Sequence, residues 1–316
     1  MIYIFLFFLS FLLTYAIREF AIKKSIMDIP NERSSHTIPT PRGGGLAIII
    51  TFYIGLFFVK EDISRELFLA LFAALPIVII GLIDDIISLS SKLRFTVQAL
   101  SAILALYLLG GVDSIDFVLF KLTGWWLNLV ALFFMIWLTN LYNFLDGIDG
   151  YAGTQTLTLG LGIFFIFSSD LGLVLVVASL GFLLLNWHKA SIFMGDVGSA
   201  TLGFIFGVLS FSNVGQGGEI YFWLVALSLF WFDATVTLLR RYKNGEKITE
   251  AHRKHAYQRL VQSGWSHEKV TIGLLLFNTF FLLLLYWFEN WGGVFLVSLV
   301  FLFAIMRFIE HKKGFE

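Results

Sequence analysis

The sequence predicts an all-α, polytopic membrane bundle, and three observations carry that expectation. The chain of 316 residues is 58% hydrophobic and only 14% charged, where a soluble domain carries about 25% charged residues. Its mean hydropathy is +0.84, which implies more apolar surface than a soluble fold of this size can hide. The apolar residues also fall in blocks that approach the roughly 20 residues needed to cross a bilayer, with short polar breaks between them. Intrinsic disorder is excluded by the same composition. The absence of cysteine excludes disulfides, thiolate metal sites and a cysteine nucleophile.

The spans follow in order. The first, 1–17, has no basic leading segment and no small-residue cleavage site, so it reads as a retained span and not a signal peptide. The next four cover 44–59, 67–83, 95–109 and 126–143. Three of the four prolines, Pro30, Pro39 and Pro41, sit in the polar stretch before the second span and mark it as non-helical. The block 117–124 around Lys121 reads either as a surface-lying segment or as an early start of the fifth span. The remaining spans cover 153–169, 171–186, 199–213, 220–239, 270–288 and 293–309. No internal repeat is visible, which argues against an inverted-repeat transporter. The chain reads as a single integral-membrane domain, 1–316.

Charge sets the orientation. With the N-terminus outside, 19 of the 22 Lys and Arg residues fall on inner segments, and only Lys60, Arg65 and Lys121 fall outside. The positive-inside rule therefore predicts eleven spans, a periplasmic N-terminus and a cytoplasmic C-terminus. The inner side also holds 14 acids, against 8 outside.

Several inner segments carry residues that anchoring does not explain. Asp84 and Asp85 close the third span, although a helix C-terminus disfavours negative charge. They suit a Mg²⁺ site or the positioning of a phosphate, with Lys92, Arg94 and Gln98 downstream to neutralise an anion. The run Asn140-Leu-Tyr-Asn143-Phe-Leu-Asp146-Gly-Ile-Asp149-Gly150 places Asn140, Asn143, Asp146 and Gly150 on one helical side. Its hard oxygen donors suit Mg²⁺. Between the seventh and eighth spans lies Asn186-Trp-His188-Lys189, followed by Phe193-Met194-Gly195-Asp196-Val-Gly198-Ser199. An aspartate between glycines fits tight backbone beside a metal-diphosphate. The long loop 240–269 holds His252, His255, Tyr257, Gln258 and Arg259, a basic loop that positive-inside bias also produces. In the first inner loop, Asn31-Glu32-Arg33 precedes His36 and Pro39-Thr-Pro41-Arg42-Gly43-Gly44-Gly45. A glycine-rich helix start can receive phosphate on its free N–H groups, or it is simply a flexible linker. There is no P-loop and no H-E-x-x-H motif. Carboxylates with basic groups and no soft ligands point to Mg²⁺ and phosphoryl chemistry. A secondary transporter would carry ionisable groups near the bilayer midplane. Here they cluster at inner ends. A prenyltransferase with paired D-x-x-x-D clusters would need different spacing.

With these motifs in this order, the chain resembles the polyprenyl-phosphate N-acetylhexosamine-1-phosphate transferases, the MraY and WecA group. The resemblance covers nearly the whole chain. It implies transfer of a sugar-1-phosphate from a UDP-sugar to undecaprenyl phosphate, with release of UMP. It further implies Mg²⁺, with Mn²⁺ as a substitute, and a site on the cytoplasmic face of the inner membrane. It assigns Asp196 to the metal, with Asp149 as a second candidate ligand, and Asp84 and Asp85 to the lipid phosphate and metal. Asp146 and Asp149 join the same acidic cluster, and His255 matches a loop histidine. Lys92, Asn140, Asn143, Asn186 and Arg259 become candidate substrate contacts. The last loop reads His255-Ala-Tyr257-Gln258, where muramyl-pentapeptide relatives carry several histidines. That departure resembles the branch that starts O-antigen or capsule chains, often on 6-deoxy amino sugars. Direct attack by the lipid phosphate and a double displacement through an aspartyl-phosphate both remain open at this point. Nucleic acid is not an expected partner, and the sequence leaves the oligomeric state open.

Overall fold

A computed structural model of the chain describes residues 1–30, 34–212, 219–247, 250 and 252–315. Asn31, Glu32 and Arg33, and the last residue of the span expected at 199–213, lie outside them. Nearly every predicted span forms a helix or a pair of helices. In chain order these are α1 (Ile2–Lys23), α2 (Gly45–Phe58), α3 (Arg65–Leu71), α4 (Leu75–Ile87), α5 (Ser91–Leu109) and α6 (Leu127–Phe144). They continue with α7 (Tyr151–Phe167), α8 (Asp170–Asn186), α9 (Asp196–Phe211), α10 (Ile220–Ala226) and α11 (Ser228–Lys243). A short helix α12 (Ala256–Gln262), then α13 (His267–Trp287) and α14 (Trp291–Lys312), complete the chain.

Among the described residues, six helical stretches are long and apolar enough to cross a membrane, and a seventh is the bent pair α10 and α11. Helices α2, α7, α8 and α9 are apolar but shorter. The span expected at 67–83 forms as α3, a 3-10 turn Phe72–Ala74 and α4. Pro76 lies in the first turn of α4; it has no N–H to give to the preceding turn and its ring crowds that turn. The axis bends by 71° between α10 and α11 with neither Pro nor Gly at the break. Side chains replace the lost backbone bonds there. Trp231 Nε1 donates to the Leu224 carbonyl and Gln155 Nε2 to the Ala226 carbonyl, both at 2.8 Å. Irregular backbone at membrane depth is tolerated when it is satisfied inside protein in this way.

The core is built around α9, whose residues from Val197 to Phe211 are all buried. A helix that is apolar on every face belongs at the centre of a bundle. It packs along α6, α4 and α2. Contact with α6 is close because of Gly203, where a Cβ would lie 2.5 Å from the Leu138 carbonyl oxygen. Small residues allow membrane helices this approach. The outer helices turn large apolar side chains away from the bundle, among them Ile4, Phe8 and Leu12 of α1, Leu100 and Ile103 of α5, and Val300 and Phe303 of α14.

Two ribbons decorate the bundle. Strand β1 (Met27–Asp28) pairs with β2 (Thr40–Pro41), and β3 (Ser114–Asp116) with β4 (Lys121–Thr123), both antiparallel. The second ribbon settles the ambiguous block around Lys121. It is a hairpin between α5 and α6, and α6 begins only at Leu127.

Candidate active site

The acidic motifs meet at one end of the bundle. Ser90 caps α5 by accepting from Leu93 N, and Asp84 Oδ1 accepts from Leu89 N. The chain therefore reverses tightly between α4 and α5, and Arg94 faces back towards Asp84. Arg94 Nη1 donates to Asp84 Oδ2 at 2.8 Å and to Asp196 Oδ2 at 2.6 Å. One guanidinium nitrogen thus joins the end of α4 to the start of α9. The other oxygen of Asp196 accepts from Asn143 Nδ2 at 2.9 Å, and the same amide donates to Ser199 Oγ.

Asp85 serves a different purpose from its neighbour. It is buried and accepts from the backbone N–H groups of Asp196 and Val197 at 3.0 and 3.1 Å. These are otherwise unpaired donors of the first turn of α9, and the helix N-terminus favours the negative charge. Gly195 makes the approach feasible. Its φ is +77°, and a Cβ there would lie 2.8 Å from Asp85 Oδ1.

A cleft of about 150 Å³ opens beside these groups, lined by Asp28, Asp85, Asp146, Asp149 and Asp196 together with His36, Arg42, Asn143, Asn186, Phe193 and His267. Five carboxylates on so small a space repel one another. Burial, then the charges of Asp196 and Asp85, push the Asp146 carboxyl well above the usual carboxylate range. Asp149 goes the other way. Burial opposes its charge, but the hydrogen bond and charge of His267, the Ala190 N–H and His188 hold it below the ordinary value. His188 Nδ1 lies 3.1 Å from Asp149 Oδ2 and His267 Nδ1 lies 3.2 Å from Oδ1. Asp146 and Asp149, three residues apart, therefore sit in different electrostatic surroundings within the one cleft.

The structure gathers Asp84, Asp85, Asn143, Asp146, Asp149, Asn186 and Asp196 at or beside this cleft. It does so differently from the helical side expected for Asn140 to Gly150. Helix α6 ends at Phe144, and Asp146 to Gly150 form a turn closed by Gly150 at φ +72°. Both ends of the Asn186 amide are used on backbone, accepting from Gly150 N and donating to the Ile192 carbonyl. Asn140 faces Gln98 at 2.7 Å.

Besides Asn140, three expected site residues are not brought to the cleft. Lys92 is exposed on α5, because the helix turn that aims Arg94 inward aims Lys92 outward. His255 is buried beside Asp233, its Nδ1 3.4 Å from Oδ1, where it caps α12. His252 and His255 do not share a helix, since α12 begins after both, although their rings lie 4.8 Å apart. Arg259 is buried and donates through Nε and Nη2 to the Lys313 carbonyl, so it ties down the C-terminal tail. The glycine run at 43–45 is not free to take phosphate on all its donors. Gly44 N and Gly45 N bond the Phe193 and Met194 carbonyls at 2.9 and 2.8 Å. Sequence reasoning missed His267. It follows Ser266, the cap of α13, and nothing local distinguishes it from a helix-start residue.

Fold and site together define a polytopic membrane protein with an oxygen-rich, partly buried acidic cleft at one end of its bundle. The glycosyl transferase family 4 profile matches residues 67–213, which contain most of that cleft. The chain is 29% identical to a probable undecaprenyl-phosphate N-acetylglucosaminyl 1-phosphate transferase of Bacillus subtilis, over 96% of this chain and 88% of that protein. It is 28% identical to the undecaprenyl-phosphate alpha-N-acetylglucosaminyl 1-phosphate transferase of Yersinia pestis, over 86% and 79%. It is also 29% identical to a phospho-N-acetylmuramoyl-pentapeptide-transferase of Thermotoga petrophila, over 76% and 81%. Over most of its length the chain is thus similar to polyprenyl-phosphate N-acetylhexosamine-1-phosphate transferases.

Proposed function

We propose that this protein transfers an N-acetylhexosamine 1-phosphate, or its 6-deoxy counterpart, from a UDP-sugar to undecaprenyl phosphate, releasing UMP. The observation that carries the reading is the joining of Asp84 and Asp196 through Arg94, beside a cleft crowded with carboxylates. The names of the relatives support the substrate classes. The eleven apolar helical segments fit eleven crossings with the N-terminus periplasmic. The site then lies at the cytoplasmic face of the inner membrane, where a lipid-linked surface glycan such as O-antigen or capsule would start. Whether it acts as a monomer or an oligomer does not alter this chemistry.

The donor set fits Mg²⁺. Asp84, Asp146 and Asp196 offer hard oxygens, and Asp146 and Asp196 line the same cleft. Mg²⁺, when bound by Asp196 with Asp84 or Asp146, would supply Lewis-acid stabilisation to diphosphate oxygens. The chain's own residues do the rest. Arg94 and Asn143 fix the Asp196 carboxylate from two sides. Asp85 holds the start of α9, and with it Asp196, in register. Asp84, at the end of α4, orients the lipid phosphate. An oxygen of that phosphate attacks the β-phosphorus of the UDP-sugar. The bridging bond to UMP breaks, and UMP leaves with the electron pair. The attacking phosphate is largely ionised near neutral pH, its second pKa being about 6, so a general base adds little.

The test uses membranes containing the chain, labelled UMP and a panel of UDP-sugars. Label should exchange into one UDP-N-acetylhexosamine only when Mg²⁺ and undecaprenyl phosphate are present. Exchange without the lipid would point to an aspartyl-phosphate instead. No exchange with any sugar, in folded protein, would reject the proposal.

A further inference from the structure

The C-terminal half of α14 packs outside the main core. Phe232, Ala256, Leu302, Met306 and Ile309 form a small apolar cluster there, separate from the core to which Val270 and Leu274 of α13 belong. Between the two lies a cavity of about 280 Å³, set among α11, α12, α13 and α14. Leu260, Leu274, Phe277, Leu302 and Met306 are among its walls. Protein interiors are otherwise close-packed, and an apolar space gives water too few polar partners to hold it. Among the described residues, Asp233 is the one charged group on the wall. Its Oδ1 accepts from Ala256 N at 2.8 Å and from Thr237 Oγ1 at 3.0 Å. Its other oxygen has no partner among the described residues, so hydrocarbon fills the space away from it.

The cavity reaches the lipid-facing surface. Gly273 lines it and is exposed on α13 between the exposed Ile272 and Leu276, and a Cβ there would meet nothing within 4 Å. Trp265 and Phe308 line it too, and their rings meet edge to face with centroids 5.9 Å apart. Each ring carries a lysine. Lys269 Nζ lies 4.1 Å from the Trp265 centroid, and Lys312 Nζ lies 5.6 Å from that of Phe308. A cation–π contact holds an ammonium in place without neutralising it. Both lysines are exposed, and among the described residues neither has a carboxylate partner. Lys312 suits the C-terminus of α14. Lys269 sits in the first turn of α13, where the helix dipole disfavours a cation, so helix stability does not account for it.

We propose that this slot holds one acyl chain of an anionic phospholipid, with the lipid's phosphate at Lys269 and Lys312. The chain supplies the dispersion contacts that the apolar walls lack. The two ammonium groups supply the charge that basic pockets between membrane helices offer to lipid headgroups. The bound lipid wedges α14 against α11 and α13. The slot shares no lining residue with the acidic cleft, so it stands whether or not the transfer reading does.

The test is native mass spectrometry of the delipidated, full-length protein in detergent. It is titrated with dioleoyl phosphatidylglycerol, or with dioleoyl phosphatidylcholine, which has the same chains and no net charge. The first phosphatidylglycerol should bind at least about fivefold more tightly than phosphatidylcholine, and Lys269→Gln and Lys312→Gln should each weaken it by about fivefold. Lys24→Gln, which alters an exposed lysine at the end of α1, should not. Gly273→Leu, which puts a side chain into the slot, should weaken it by at least about tenfold. Circular dichroism confirms folding, and if Gly273→Leu fails to fold, the two lysine variants decide. Equal binding of the two lipids would overturn the proposal. So would a loss in Lys24→Gln as large as in Lys269→Gln, or undiminished binding by folded Gly273→Leu.

Discussion

Arg94 is the residue on which the acidic site should depend most visibly. Its Nη1 lies 2.8 Å from Asp84 Oδ2 and 2.6 Å from Asp196 Oδ2. Without it, the two carboxylates, close enough to share a hydrogen bond, face each other uncompensated, and like charges about 4 Å apart repel by about 4 kcal/mol at an effective dielectric of about 20. The side chains of Arg94, Asp84 and Asp196 are 35%, 11% and 28% exposed, so solvent screens part of this. Arg94→Ala should therefore destabilise the protein by roughly 2 kcal/mol, seen as a Tm lower by a few degrees. Asp84→Asn in the Arg94→Ala background removes one of the repelling charges and should recover at least half of the loss. The nine tryptophans report unfolding in detergent directly. Thiol dyes do not apply to a chain without cysteine. A single variant as stable as the parent would refute the reasoning, as would a double variant no better than the single one.

Other outcomes follow from neighbouring geometry. Gly195→Ala places a side chain at φ +77° and against the Asp85 carboxylate. It should cost about 1–3 kcal/mol and abolish transfer while circular dichroism stays helical; normal turnover would contradict the placement of Asp85. Arg259→Ala should expose the tail near Lys313 to carboxypeptidase and leave the KM for the UDP-sugar within about twofold, whereas a large KM rise with a protected tail would restore its expected substrate role. Burial, then the charges of His255 and Arg241, push His252 down to about 4 from 6.5. The unfolded chain therefore takes up a proton that the folded one refuses. The stability tied to His252 is complete above pH 6.5 and falls as pH drops towards 4. Melting curves from pH 7.5 to 4.5 should slope less in His252→Asn than in the parent, and equal slopes would remove this assignment.

Much of the fold was legible because lipid imposes a single rule, that backbone polar groups be satisfied within each segment. Apolar length therefore located α1, α5, α6, α13 and α14 within a few residues. The break before α4, beside Pro76, fell inside a stretch read as one span over 67–83, and nothing local marks the bend at Leu227, which depends on Trp231 and on Gln155 from another helix. In the site, Asp84, Asp85, Asp146 and Asp196 were legible as charges that membrane anchoring does not explain. Their division of labour was not. Asp85 turns to the N-terminus of α9 and Asp84 to Arg94 only because α4 and α9 pack together. Asp149 looked like a partner of Asp146 by spacing, and its true neighbours, His188 and His267, are 39 and 118 residues away. His255 and Arg259 attract attention in a basic loop, yet one caps α12 and the other anchors the tail, contacts set by α11 and α14.

The most direct measurement follows the β-phosphorus. Membranes containing the chain would be given undecaprenyl phosphate, Mg²⁺ and a UDP-N-acetylhexosamine labelled at that atom. The expected result is label in a lipid diphosphate sugar, with UMP as the only released nucleotide, and no product from Asp196→Asn. Release of labelled UDP with an unlabelled lipid-linked sugar would place bond cleavage at the sugar carbon and contradict phosphoryl transfer at this site.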